Sequence, residues 1–328
     1  MNVSTLLRTL LAGLVLSVPA LQTGAQTWPS KPVTMIVPWP AGGPSDFVAR
    51  KLQPDMGKAL GHPVVIDNIG GAGGAIGVQK NISAKPDGYT MTLGSPLELI
   101  VAPLTLAAVK YKADDLKIVA QMVKAPLVLI ARKDLPANTV DELMALANRP
   151  GAKELSIGNG GNGSLFHLAA EKFSQMTGTK FVHVPYKGST PMIADLMGGQ
   201  VDMAITVWAG SLPATVAEGK VKVIGLATRS PLAKFPQIPA LAAHSKLSGF
   251  EFDSWASIAV PRSTPDAIAN RINQAVYDAL QNPDTRSAFE ATGNLIVNPT
   301  SVADLDRVYR EEIARYQAIA RSINFEPQ

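Results

Sequence analysis

The chain has 328 residues, 46% of them hydrophobic and 17% charged, with a formal net charge of +4. This is the balance of a folded chain with room for two domains, and it excludes a disordered one. No dense Lys/Arg block is present to grip a phosphate backbone, which argues against a nucleic-acid partner, and the lack of cysteine excludes disulfides, thiolate metal sites and thiol catalysis.

Residues 1–25 carry Arg8, an apolar stretch from Leu10 to Leu21 and then small and polar residues, the grammar of a secretory signal peptide cleaved after Ala25. The apolar stretch is too short for a membrane span and is broken by Pro19. The mature chain is therefore expected to start at Gln26 and to work in the periplasm.

Strand-like and helix-like runs then alternate, which predicts an α/β fold with mainly parallel sheets. "PVTMIVPW" reads as a buried strand, and Gly42 and Gly43 lead into a helix with Pro44 at its first position and Asp46 in its first turn. Val48, Leu52, Met56 and Leu60 share one face, Gly61 stops the helix, and Pro54 predicts a kink or break. Next come strand "PVVID", the glycine-rich "NIGGAGGAIG", a short helix, the turn "KPDGY" and strand "YTMTLGS". The glycine spacing matches neither dinucleotide nor P-loop fingerprints and reads as a tight loop with close backbone packing.

"LSIGNGGNGSLFHLAAEKF" repeats the opening device, with a strand, a glycine loop and a helix that Ser164 can cap. "FVHVPYKGSTPMIADLMGGQVDMAITVWAG" gives strand, loop, helix, strand and loop, with Pro191 near the helix start and Gly198 at its end. "VKVIGLATRS" and "SWASIAVP" are further strands, followed by helices around 265 to 290 and 302 to 322.

A glycine turn between a strand and a helix leaves backbone N–H groups unpaired at the positive end of the helix dipole, and its preferred guest is an anion. Two such turns, one in each half, would clamp a carboxylate between them, with Gly43 and Gly163 expected to need φ above zero. As ordinary connections, they would need no guest. Asp46 either touches a solute hydroxyl or water or braces its loop. His167 either faces the cleft or packs on its own helix. Trp39 and Trp208 floor a pocket or simply pack, and Lys187 supplies a charge or is merely solvated. His183 reads as a core or surface residue. With no G-x-S-x-G, no H-E-x-x-H and scattered histidines, neither catalysis, a metal nor a cofactor is expected.

The segments "WPSKPVTMIVPWPAGGPSDFVARKL", "NIGGAGGAIG", "KPDGYTMTLGS", "GNGSLFHLAAEKF", "HVPYKGSTPMIADLMGGQVDM" and "SWASIAVPRSTPDAI" together resemble the substrate-binding proteins of tripartite tricarboxylate transporters, the Bug family. The resemblance spans nearly the whole mature chain and implies a two-lobe periplasmic binding protein of the Venus-flytrap type. It implies a monomer that takes a small carboxylate solute and delivers it to a membrane permease. A sensory receptor feeding a signalling kinase would use the same cleft, and an exported enzyme is the third class. Lobe 1 is expected over 27–125 plus 252–328, and lobe 2 over 126–251. The residues set to meet the solute are Trp39, Ala41, Gly42, Gly43, Ser45, Asp46 and Ser95 from the first lobe. From the second come Asn159, Gly160, Gly163, Ser164, His167, Lys187 and Trp208. Pro44 and "GNG" depart from the family's usual residues at the two loops.

Overall fold

β1 (Val33–Val37) is apolar and buried except at Thr34, and it feeds through a glycine turn into α1 (Pro44–Leu60). The computed structural model describes residues 28–328 apart from 152, 187, 324, 326 and 328, so the expected leader and the start at Gln26 lie outside the described residues. Pro44 opens α1 at its first position, and Gly61 closes it in the left-handed conformation at φ 77°. Val48, Leu52, Met56 and Leu60 are buried on its inner face, as their spacing predicts. Leu52 and Met56 are fully enclosed, each contributing about 1.5–3 kcal/mol by area removed from water. The helix does not break at Pro54. That residue is exposed, so the carbonyl it leaves unpaired one turn back can turn to water.

β2 (Val64–Asn68) leads to the glycine loop and α2 (Ala75–Ile82), and β3 (Thr90–Gly94) leads to a π-helical turn, Leu97–Val101, that runs into α3 (Ala102–Thr105). The loop's glycines serve close packing: a Cβ on Gly77 would lie 2.8 Å from the Ile69 carbonyl oxygen. β4 (Leu116–Arg132) is a long, almost wholly buried strand that the sequence reading does not anticipate. Then come α4 (Val140–Ala147), β5 (Ser156–Asn159), α5 (Leu165–Thr177), β6 (Val182–Pro185), α6 (Ser189–Met197), β7 (Met203–Val207), α7 (Leu212–Ala217) and β8 (Val221–Leu226). β9 (Asp253–Pro261), α8 (Asp266–Ala279), α9 (Pro283–Ala291), β10 (Leu295–Ile296) and α10 (Val302–Ser322) complete the chain. The helical stretch expected around 265 to 290 is thus two helices, because the Asn282 side chain accepts from Asp284 N–H and Pro283 opens a new helix.

The strands form two sheets joined by β4. In one the order is β2-β1-β3-β9-β4, with β10 also on β4, and in the other it is β4-β7-β5-β6, with β8 also on β4. β4 pairs with β9 from Leu116 to Pro126 and with β7 from Leu127 onward, so the chain changes sheet at that peptide. The sheets are mixed and not mainly parallel. β1 runs parallel to β2 and β3, and β5 to β6 and β7, but every pairing of β4 and β9 is antiparallel. The cause is traffic between the lobes, since β4 carries the chain out and β9 brings it back beside β4 in the opposite sense. Among the described residues, no helix is long and apolar enough to cross a membrane.

Candidate functional site

The first turn lies between the end of β1 and the start of α1. Gly42 sits at φ 81° and its N–H donates to Asp46 Oδ2 at 2.8 Å. Arg50 Nε donates to the same oxygen at 2.8 Å, and Asn68 Nδ2 donates to Asp46 Oδ1 at 3.0 Å and to the Trp39 carbonyl at 3.1 Å. The Arg50 hydrogen bond, with those of Gly42 and Asn68, holds the Asp46 carboxyl down to about 2 against the cost of burial. Asp46 thus braces its own loop. The N–H groups of Gly43 and Ser45 have no partner among the described residues. Gly43 is at φ −81°, so the left-handed position of this turn is Gly42 and not Gly43, a correction to the sequence expectation. The turn closes before the helix cap, which itself must be extended.

Behind this turn lies a group that the sequence reading misses. Glu98, in the π-helical turn, is completely buried. Its Oε1 accepts from Ser95 N–H at 2.6 Å, and its Oε2 from Ser95 Oγ at 2.7 Å and Trp39 Nε1 at 3.3 Å. Burial pushes the carboxyl up to about 7 despite these donors. A Cβ on Gly74 would lie 2.8 Å from the Glu98 Cβ, so the glycine loop is shaped around this side chain. Trp39 and Ser95, both candidates from sequence, are brought together by Glu98. The signal available beforehand was one carboxylate inside the apolar run "PLELIVAP".

The second turn follows β5. Asn159 Oδ1 accepts from Gly161 N–H at 3.0 Å, and Ser164 Oγ caps α5 by accepting from His167 N–H at 3.1 Å. Gly163, at φ 73°, donates its N–H to His167 Nδ1 at 3.1 Å, while Ser164 N–H donates to the Gly161 carbonyl. Those two N–H groups are therefore spent inside the turn. The N–H groups of Gly160, Asn162 and Leu165 have no partner among the described residues, nor does the buried Asn159 Nδ2. A Cβ on Gly160 would fall 2.5 Å from the Phe166 ring, which would have to shift to admit one. Beside this turn a bond crosses between the halves, from the Thr105 hydroxyl to the Gly163 carbonyl at 2.8 Å.

His167 is buried behind this turn, its ring edge-on to His183 at 5.4 Å and to Phe325 at 5.7 Å. Glu171 Oε1 lies 3.4 Å from Nε2 of both histidines, and by spacing alone the three could hold a cation. The hydrogen bond from Gly163 argues against one. It requires a lone pair on His167 Nδ1, which puts the neutral ring's proton on Nε2, the atom a metal would need bare.

Of the other candidates, Ala41 is exposed and Ser45 half-buried at the first turn. Trp208 is enclosed in an apolar cluster, edge-on to Phe235 at 5.2 Å, with its indole N–H unpartnered among the described residues. Lys187 lies outside the described residues. Two open depressions, of about 430 Å³ beside α8 and about 600 Å³ at the end of α1, lie away from both turns.

Two α/β lobes joined through a shared strand are the architecture of a two-lobe periplasmic binding protein, and solved structures match it. The periplasmic binding protein BugD is 29% identical with a TM-score of 0.77, covering 92% of this chain and 100% of its own. MatC of Rhodopseudomonas palustris, solved with bound malate, is 30% identical at a TM-score of 0.76, covering 89% and 99%. R. palustris Rpa4515, solved with adipate, is 29% identical at 0.78, covering 92% and 100%. Residues 48–325 match the family model described as the tripartite tricarboxylate transporter family receptor. The chain belongs to that family, whose members are binding proteins and not enzymes.

Proposed function

We propose that this protein is an exported receptor that holds one carboxylate of a small solute between the Gly42–Ser45 turn and the Gly160–Leu165 turn and hands the solute to a membrane permease. The observation that carries this reading is the pair of helix starts whose N–H groups, at Gly43 and Ser45 and at Gly160, Asn162 and Leu165, have no partner among the described residues, with a Thr105 hydrogen bond running between the two halves. The family description supports the permease, and the carboxylates bound by MatC and Rpa4515 support the solute class. Lobe 1 would comprise 27–125 and 252–328 and lobe 2 residues 126–251, a division supported by the change of sheet at Pro126 and the return of β9. Removal of residues 1–25 and a start at Gln26 complete the proposal.

The test is a thermal-shift screen of the purified protein against mono-, di-, tri- and aromatic carboxylates, malate and adipate included. A bound carboxylate raises the Tm in proportion to the logarithm of its concentration over Kd. If no carboxylate shifts the Tm, the reading fails.

A further inference from the structure

The sequence leaves His167 open between the cleft and its own helix, and the structure sets it behind the second turn, where no part of the proposed machinery uses it. Gly163 is held at both ends: its N–H by His167 Nδ1 at 3.1 Å, and its carbonyl by the Thr105 hydroxyl at 2.8 Å. The first bond exists only while Nδ1 carries a lone pair. Glu171 favours that tautomer, since its Oε1 faces Nε2 of His167 at 3.4 Å and Nε2 of His183 at the same distance. His183 Nδ1 is buried without a partner among the described residues, and the Glu171 carboxylate beside its Nε2 favours the proton on that nitrogen as well.

We propose that His167 is a proton-sensitive positioning residue: neutral, it fixes Gly163 and the second turn in the shape that receives the solute, and protonated it releases Gly163 and weakens binding. This rests on the second turn being part of the solute site. Among the described residues, the titratable groups facing His167 are Glu171 on its own helix and His183 on β6, while the C-terminal segment brings the Phe325 ring. Burial, and then the neighbouring His183, hold the His167 imidazole below its usual range, with Glu171 opposing. A proton that does enter sets an N–H on Nδ1 against the Gly163 N–H, and Glu171, at the far side of the ring, cannot relieve that clash. Solute affinity should therefore be flat above neutrality and fall in acid, by up to about tenfold per pH unit below the free protein's His167 pKa.

The experiment follows the Gly163 amide by ¹⁵N–¹H NMR in the free protein, together with calorimetric titrations of malate and adipate, from about pH 8 down to about pH 5, the range in which imidazole changes charge. The wild type is compared with His167→Asn, whose Oδ1 stands near the place of Nδ1 and accepts without titrating, and with His167→Gln, whose amide reaches past Gly163. In the wild type the Gly163 amide should follow the His167 titration, and the affinity should fall with it as the imidazole takes up its proton. His167→Asn should keep the alkaline affinity and lose the acid drop, and His167→Gln should bind weakly at every pH. An amide indifferent to the titration, or an acid drop retained in His167→Asn, overturns the proposal. An amide that follows while affinity stays flat overturns the placement of the solute at this turn, and with it the link to binding. If neither carboxylate binds, the amide alone decides the brace. Zinc that raises the Tm of the wild type but not of His183→Ala would make the cluster a cation site and overturn the assignment of tautomers.

Discussion

Gly42 and Gly163 hold φ of 81° and 73°, conformations that cost a β-branched side chain about 1–3 kcal/mol. A Cβ at Gly42 meets open space, whereas one at Gly163 would lie 3.1 Å from the Thr105 side chain. Gly42→Val and Gly163→Val are expected to weaken carboxylate binding by roughly tenfold or more. Gly43→Ala, at φ −81° with its nearest atom at 3.4 Å, should bind like the parent. Isothermal titration of the three variants checks the order, and a loss at Gly43→Ala alone would misplace the strained position. Glu98 makes a second prediction at this scale. Its carboxyl is raised from the ordinary range to about 7, so in the folded state it keeps a proton that the unfolded chain gives up, and stability falls as pH rises between the two. The Tm of the wild type relative to Glu98→Gln should therefore drop from about pH 5 to about pH 7, and a difference that stays level contradicts the burial account. The turns were legible in sequence because glycine, proline, serine and aspartate each have a local backbone preference. Glu98 was not, because its partner Trp39 is 59 residues away and a single carboxylate in an apolar run looks like a solvated charge.

α1 shows how far local pattern reaches at the scale of the element. Its opening at Pro44, its stop at Gly61 and its buried face were all readable from spacing, since these are short-range properties. Its passage through Pro54 was not, because tolerance of the lost hydrogen bond depends on which face of the helix meets water. Pro54→Ala should restore that bond and raise stability by about 1 kcal/mol or more in urea unfolding, while a lower midpoint would show that the ring packs to advantage. β4 went unread for a different reason. Buried on both faces over most of its length, it lacks the alternation that marks a strand, and its register shifts against β9 further blur the pattern.

The whole molecule depends on the passage of β4 from one sheet to the other and on the few bonds that cross between the halves. Thr105 makes one of these, its single hydroxyl proton shared between the Gly163 carbonyl at 2.8 Å and the Val101 carbonyl at 2.9 Å. Thr105→Val keeps the shape and removes the bond, so it should cost about 1 kcal/mol of the closed arrangement, or about fivefold in affinity, with a small change in the Tm of the free protein. Equal affinity in Thr105→Val would mean that the bond plays no part in closing on the solute. The α/β class and the repeated strand–turn–helix junction were legible because they are periodic. The antiparallel half of each sheet was not, since it follows from how the chain travels between lobes and leaves no local mark.

The central claim is that backbone N–H groups from both turns receive one carboxylate, and a crystal structure of the complex with the tightest carboxylate from the thermal-shift panel tests it most directly. The account predicts carboxylate oxygens about 2.7–3.2 Å from at least one free N–H of the Gly42–Ser45 turn and one of the Gly160–Leu165 turn, directly or through one water. A carboxylate bound away from both turns, or held by side chains of one lobe alone, would contradict it.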